Sequence, residues 1–128
     1  GAARAACYAM KKLKIKYDIL GRNFDKSSKL TKTFDGCKFD EIKNLDTKHN
    51  IVIICVPNYV NLKLDQISKD AIILDMSYSK KNNRNYFGRK IINGYEILVE
   101  QAMGQFKIWE DEIKNVKNIY NKTIKLFN

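Results

Sequence analysis

Apolar and polar positions along this chain switch between two periods, and the switches mark out its elements. Small residues run into Cys7, Tyr8, Ala9, Met10 and Leu13 at the spacing of one helix face, which predicts a helix over 2–13. After Lys11-Lys12, the run Ile15 to Leu20 reads as a strand that ends at Gly21-Arg22-Asn23. Asp25 is the expected N-cap of a helix through Lys32, with Leu30 facing inward. Cys37-Lys38-Phe39 reads as a short strand and Asp40-Glu41-Ile42 as a helical turn. Ile51 to Val56 is continuously apolar and rich in β-branched residues, the pattern of a strand buried on both faces, and Pro57-Asn58 ends it. Residues 64–69 suit a short helix, and Ala71 to Asp75 a second buried strand with an acid at its carboxyl end. Lys80 to Arg89 is a polar loop, and Lys90 to Asn93 a last strand closed by Gly94. Ile97, Leu98, Ala102, Phe106 and Trp109 form the apolar stripe of an amphipathic helix. A further helix from Asp111 or Glu112 places Ile113, Val116, Ile119, Tyr120, Ile124 and Phe127 on one face. Strands alternating with helices predict an α/β fold: a Rossmann-like, doubly wound parallel sheet with helices on both faces and a C-terminal helical extension.

The opening Gly1-Ala2-Ala3-Arg4-Ala5-Ala6 has no strand before it and reads as the second half of a βαβ unit, cut inside its first turn. In a sheet of order 3-2-1-4-5-6 the strand before that turn lies at the centre. Residues 15–20 and 51–56 are therefore expected either to flank a central gap or to pair directly. With ladder groups orphaned there, these 128 residues alone are not expected to form a stable, cofactor-competent monomer.

Length predicts one core, divided here into residues 1–94, an incomplete nucleotide-binding unit, and 95–128, helices on the substrate side. An apolar share of 45% with 30% charged residues is that of a globular protein, and no apolar run is long enough to span a bilayer. Cys7, Cys37 and Cys55 have no metal-site spacing and read as reduced, buried thiols of a cytoplasmic protein. The net charge of +10 invites a nucleic-acid reading. The lysines, however, are scattered and interleaved with asparagines, without an aromatic-basic stripe or a zinc-finger spacing. Neither nucleic acid nor membrane is the expected partner; the charge favours an anionic small molecule.

In an open α/β sheet, ligands bind beyond the carboxyl ends of the strands. Those ends are Gly21-Arg22-Asn23, Val56-Pro57-Asn58, Asp75-Met76-Ser77-Tyr78 and Asn93-Gly94. No acid follows the second strand, where an NAD enzyme binds its ribose hydroxyls; Arg22 stands there with Lys26 four residues on. A guanidinium grips a phosphate with paired hydrogen bonds, so this pair favours a 2′-phosphate and hence NADP. The bland alternative is two solvated cations on a surface loop. Asp75 reads as structural, His49 as a solvated loop residue, and Phe106, Trp109 and Tyr120 as packing residues.

The stretch Gly94-Tyr95-Glu96-Ile97-Leu98-Val99-Glu100-Gln101-Ala102, with Phe106 and Trp109, resembles the shikimate dehydrogenase family, whose C-terminal part reads D-G-x-x-M-L-V-x-Q-A and then Phe and Trp. Gly1 to Ala5 resembles the end of that family's G-A-G-G-A-A-R-A loop, and Gly21 to Lys26 its N-R-T-x-x-[RK] clamp. Val56-Pro57 resembles the end of N-A-T-P, and Asp75 to Tyr78 resembles D-x-x-Y. The resemblance implies reduction of 3-dehydroshikimate by NADPH, or the reverse, in aromatic amino acid (chorismate) biosynthesis. It implies that Arg22 and Lys26 hold the 2′-phosphate while Gly1, Ala2 and Ala3 line the pyrophosphate. Val56 then lies near the nicotinamide ribose, Gly94 near the nicotinamide, and Tyr78 and Gln101 touch the substrate. The family's catalytic Lys and Asp belong to an N-terminal substrate domain that this chain lacks, so by itself it is expected to be inactive. It departs from the pattern at Gly21 (for Asn), Asn23 (for Thr), Ile54-Cys55-Val56 (for Asn-Ala-Thr) and in the shorter loop after Tyr78. Two other readings stay open: a non-catalytic nucleotide-binding module, and the cofactor domain of a related reductase such as one acting on glutamyl-tRNA.

Overall fold

A computed structural model describes residues 1–46, 48–78, 84–109 and 116–126. The element order is α1 (Ala2–Lys12), β1 (Asp18–Gly21), α2 (Phe24–Phe34), β2 (Lys38–Glu41), a 3-10 turn Ile42–Asn44, β3 (Ile51–Ile54), a 3-10 turn Leu64–Gln66, β4 (Ile72–Asp75), β5 (Lys90–Ile92), α3 (Gly94–Trp109) and α4 (Val116–Ile124). Every strand pairing is parallel. The expected start of the last helix at Asp111 or Glu112 lies outside the described residues.

The strands form two separate ribbons, β1-β2 and β3-β4-β5. Of the two arrangements open to residues 15–20 and 51–56, the chain takes the gapped one: β1 and β3 do not pair, and each ends its ribbon. The gap also changes the expected burial of β3. Ile51 is 54% exposed and Val52 and Ile53 are only half-buried, so this strand is not covered on both faces. Side chains from both ribbons meet across the opening. Leu20 of β1 packs against the core of Leu45, Ile54, Leu64, Ile67, Ala71 and Ile73. His49 Nε2 shares a 3.2 Å hydrogen bond with Asp18 Oδ2, while its Nδ1 faces Asp46 Oδ1 at 3.1 Å. His49 is thus no solvated loop residue; it ties the start of β1 to the segment that enters β3.

The helix ends account for shifted boundaries. β1 begins at Asp18 rather than Ile15 because Ile15 closes α1. Lys14 takes the left-handed conformation at φ 56°, its N–H bonds to Lys11 O, and Ile15 N–H reaches back to Met10 O at 3.0 Å. Asn23, not Asp25, caps α2, accepting from Lys26 N–H at 2.9 Å. Asp25 instead sits in the first turn, where a carboxylate favours the helix dipole. The last helix of the core starts at Gly94, three residues early, because Asn93 and Glu96 form a reciprocal capping box: Glu96 N–H donates to Asn93 Oδ1 and Asn93 N–H to Glu96 Oε1.

The polar loop before β5 is more built than its composition indicates. Arg89 is buried, and its guanidinium donates to the carbonyls of Ile67 (2.7 Å), Ser68 (3.1 Å) and Asp65 (3.2 Å), holding the crossover before β4 against the entry to β5. Burial along α3 departs from the predicted stripe: Val99 and Met103 are buried, whereas Leu98 and Phe106 are exposed. Among the cysteines, Cys7 is buried as expected, but Cys37 is exposed and Cys55 half-buried.

Open parallel edges seek partners, since each buried unpaired N–H or C=O costs about 1–3 kcal/mol. The 128-residue chain alone is therefore expected to self-associate or to melt without a sharp transition. Sedimentation and thermal unfolding check this; a monomer with one cooperative transition, raised by NADPH, would overturn it.

Candidate functional site

Apart from Gln101, the predicted site residues fall in three places. At the end of β1, Gly21 leads directly into α2. A Cβ on Gly21 would lie 2.0 Å from the Ser27 hydroxyl and 3.3 Å from its Cβ, so the first turn of α2 closes down on the strand end. This packing accounts for glycine where a larger residue was expected. Arg22 and Lys26 follow, both exposed. Among the described residues, no ion pair engages either side chain. Asn23 is occupied as the cap. The two cations therefore stand free at the tip of β1, beside the open N–H groups of a helix start.

At the second place, α1 begins at Gly1 with no side chain capping it and no acid in its first turn. Gly1 and Ala3 are exposed and Ala2 half-buried. The start of this helix lies by the end of β3. Burial pushes the Cys55 thiol up to about 11, with Cys7 and the Asp75 carboxylate adding to the rise. Cys55 is accordingly a neutral thiol at physiological pH.

The third place joins the ends of β3, β4 and β5, and it unites Tyr78, Gly94 and the neighbour of Val56. Asp75, 1% exposed, accepts from Ser77 N–H at 2.9 Å, from the Tyr86 hydroxyl at 2.8 Å, and from Arg84 Nη1. Arg84 Nη2 also donates to Pro57 O at 2.9 Å. Burial alone would raise the Asp75 carboxyl; the Ser77 N–H, the Tyr86 hydroxyl and the Arg84 guanidinium together hold it below its ordinary value. With the folded value depressed, this carboxylate contributes stability above its unfolded titration range, and loses it as pH falls through the folded value. Gly94 packs on the peptide that Asp75 fixes: a Cβ there would meet Ser77 O at 2.2 Å and Tyr78 N at 3.0 Å. Tyr78, 60% exposed, leans on Tyr95 with ring centroids 6.5 Å apart.

Two further predicted residues, Val56 and Gln101, have their own surroundings. Val56 packs its side chain against the core. Gln101 lies two turns along α3, exposed and roughly opposite Val99 and Met103, and contacts none of the three places in any described hydrogen bond. Arg84 and Tyr86 were missed because they lie in a stretch read as plain polar loop. The one available signal was a single buried acid ending β4, which requires donors from somewhere.

Geometry and topology together define a Rossmann-like α/β unit. The fold matches that of shikimate 5-dehydrogenase from Thermus thermophilus in complex with shikimate, with a TM-score of 0.71 at 12% identity, covering 96% of this chain and 49% of that one. It also matches the dehydroquinate dehydratase and shikimate dehydrogenase from S. pombe, at 0.68 and 20% identity, over 94% of this chain and 28% of that one. In sequence, the chain is 30% identical over 117 residues to the shikimate dehydrogenase of Sulfurisphaera tokodaii, covering 85% of this chain and 44% of the relative. It is 30% identical over 148 residues to the shikimate dehydrogenase (NADP(+)) of Methanococcus maripaludis, covering 98% and 53%. No protein-family model matches. The chain is homologous to the C-terminal part of the shikimate dehydrogenases, and it spans about half the length of the curated relatives it matches. Among the described residues, no helix is long and apolar enough to cross a membrane.

Two glycines offer a paired test of the third place. Gly94→Ala must displace backbone and is expected to cost about 1–3 kcal/mol. Gly104→Ala, on the same helix with nothing within 4 Å of its Cβ, is expected to stabilise by roughly 0.5–1 kcal/mol. Urea unfolding of the whole protein carrying this chain compares them; equal stabilities would contradict the packing described.

Proposed function

We propose that this chain is the cofactor half of an NADP-dependent oxidoreductase of the shikimate dehydrogenase type, acting on 3-dehydroshikimate and NADPH or in the reverse direction in the cytoplasm. The observation that carries the reading is the free pair Arg22 and Lys26 at the tip of β1, where an NAD-binding site would carry an acid. Relatives whose names include NADP(+) support it. In this reading Arg22 and Lys26 grip the 2′-phosphate, Arg22 as a planar fork and Lys26 as a point charge. The open first turn of α1 at Gly1, Ala2 and Ala3 receives the pyrophosphate. The backbone at Val56 and at Gly94 borders the nicotinamide end, where glycine's lack of a side chain admits a flat ring. NADPH supplies the hydride when bound.

Tyr78 and Gln101 form part of the substrate wall. A side-chain amide donates and accepts, so Gln101 can bind a hydroxyl of a polyol acid without adding charge. The exposed Leu98 and Phe106 on α3 form a surface for the N-terminal substrate domain, which also brings the acid-base residues. Neither a non-catalytic module nor a reductase acting on glutamyl-tRNA gains support from a specific feature of the site.

Cofactor choice tests the reading directly. The whole protein is expected to bind NADPH at least about ten-fold more tightly than NADH, and Arg22→Ala to remove most of that preference, since a hydrogen bond to a charged group contributes about 1.5–3 kcal/mol. Equal binding of both cofactors by the parent defeats the assignment. Separately, Gln101→Ala is expected to raise the KM for shikimate several-fold, on the order of one lost hydrogen bond, with NADPH affinity unchanged. An unaltered KM would return Gln101 to a plain surface amide.

A further inference from the structure

We propose that Arg84 is a positioning residue for this site, joining the carboxyl ends of β3 and β4 and keeping the Ser77-Tyr78 peptide seated against Gly94. What the site binds rests on the function proposed above; the clamp itself rests on geometry. The Arg84 side chain is 5% exposed and that of Asp75 1%. Such a desolvated ion pair adds little net stability over a well-packed apolar pair of similar volume, so stability alone does not explain its presence. Its shape does. The guanidinium is a rigid fork, and here its two terminal nitrogens reach beyond two strand ends: Nη1 to the Asp75 carboxylate that ends β4, and Nη2 to the Pro57 carbonyl, three residues past β3.

The consequence passes through Asp75. Its other oxygen accepts the Ser77 N–H, so the carboxylate that Arg84 holds sets where the Ser77 peptide lies. Tyr86, two residues beyond Arg84, donates to the same carboxylate and fixes the returning stem of the loop. The Ser77 carbonyl in turn lies where only a glycine fits at 94. Displacing Asp75 by a few tenths of an ångström would therefore move the Tyr78 backbone, and with it the ring that rests on Tyr95. A lysine at 84 could reach one of the two acceptors but could not hold both in one plane. Arg84 acts through Asp75 and Ser77.

The test uses the whole protein with Arg84→Met, Arg84→Lys and Tyr86→Phe, and three readouts: KM for shikimate, Kd for NADPH, and hydrogen exchange at the Ser77 and Tyr78 amides relative to Ile73 in the core. Arg84→Met is expected to raise KM about ten-fold or more, as a displaced positioning group does, and to speed exchange at Ser77 and Tyr78. Exchange at Ile73 should change by less than about two-fold, and the Kd for NADPH should rise much less than KM, because the cationic corner lies on the other ribbon and only the nicotinamide end borders Gly94. Arg84→Lys should fail to restore KM, and Tyr86→Phe should show the same pattern more weakly. Unchanged KM with unchanged Ser77 exchange overturns the proposal. So does a uniform rise in exchange and Kd together, which marks a merely structural residue. If Arg84→Met fails to fold, Arg84→Lys and Tyr86→Phe decide on the same criteria. If the parent does not turn over shikimate, the proposed function fails, and local exchange at Ser77 alone decides the clamp.

Discussion

The break between β1 and β3 is the constraint around which the rest of the molecule is arranged. A parallel ladder derives its strength from backbone pairing on both sides, and among the described residues only β4 has that. β1 depends on β2 and on the helix packed over them; β3 depends on β4. The two ribbons stay in one body through side chains: Leu20 entering the core below β3 and β4, and His49 bonded to Asp18. Side-chain contacts of this kind locate a strand without satisfying its backbone. The chain is therefore well specified within each ribbon and weakly specified between them.

Much of this architecture was legible in the residues. The β-branched run at 51–56, the acid-ended run at 71–75 and the small-residue helix at the start each became an element of the expected kind. The boundaries were harder, because they are decided by single hydrogen bonds. Lys14 closes α1 in a conformation usually given to glycine, and nothing in its side chain announces that. The capping box of Asn93 and Glu96 could have been read from its spacing, and it moves Gly94 from the end of a strand to the first turn of a helix. The stripe chosen for α3 contained the larger apolar residues, yet burial went to Val99 and Met103. Side-chain size does not say which face the core receives.

The site was legible where chemistry is local and hidden where it is long-range. Arg22 and Lys26 are four residues apart on one helix start, and their charge alone drew attention to them. Arg84 and Arg89 sit among lysines and asparagines in a segment of surface composition, yet both are buried. Their partners, Asp75 and the carbonyls at 65, 67 and 68, are brought to them only by the crossover between β4 and β5. Composition assigns such arginines to solvent; topology assigns them to the interior. The apolar triplet Ile54-Cys55-Val56 likewise looked like a loss of polar site residues, and in the fold it supplies core: Ile54 is buried and Val56 packs against the same cluster.

The close approach of Gly21 to Ser27 also bears on how this sequence could change over time. A side chain at 21 cannot enter while the Ser27 hydroxyl stands 2.0 Å from the Cβ position, unless that hydroxyl first rotates away. Loss of the hydroxyl, as in Ser27→Ala, leaves only the 3.3 Å contact and opens room. The two positions are thus epistatic, and order matters: an asparagine arriving at 21 before position 27 has shrunk meets a steric barrier, whereas the reverse sequence of events does not. A lineage that lost the larger residue at 21 and then gained a serine at 27 would find the path back hindered until that hydroxyl turned aside.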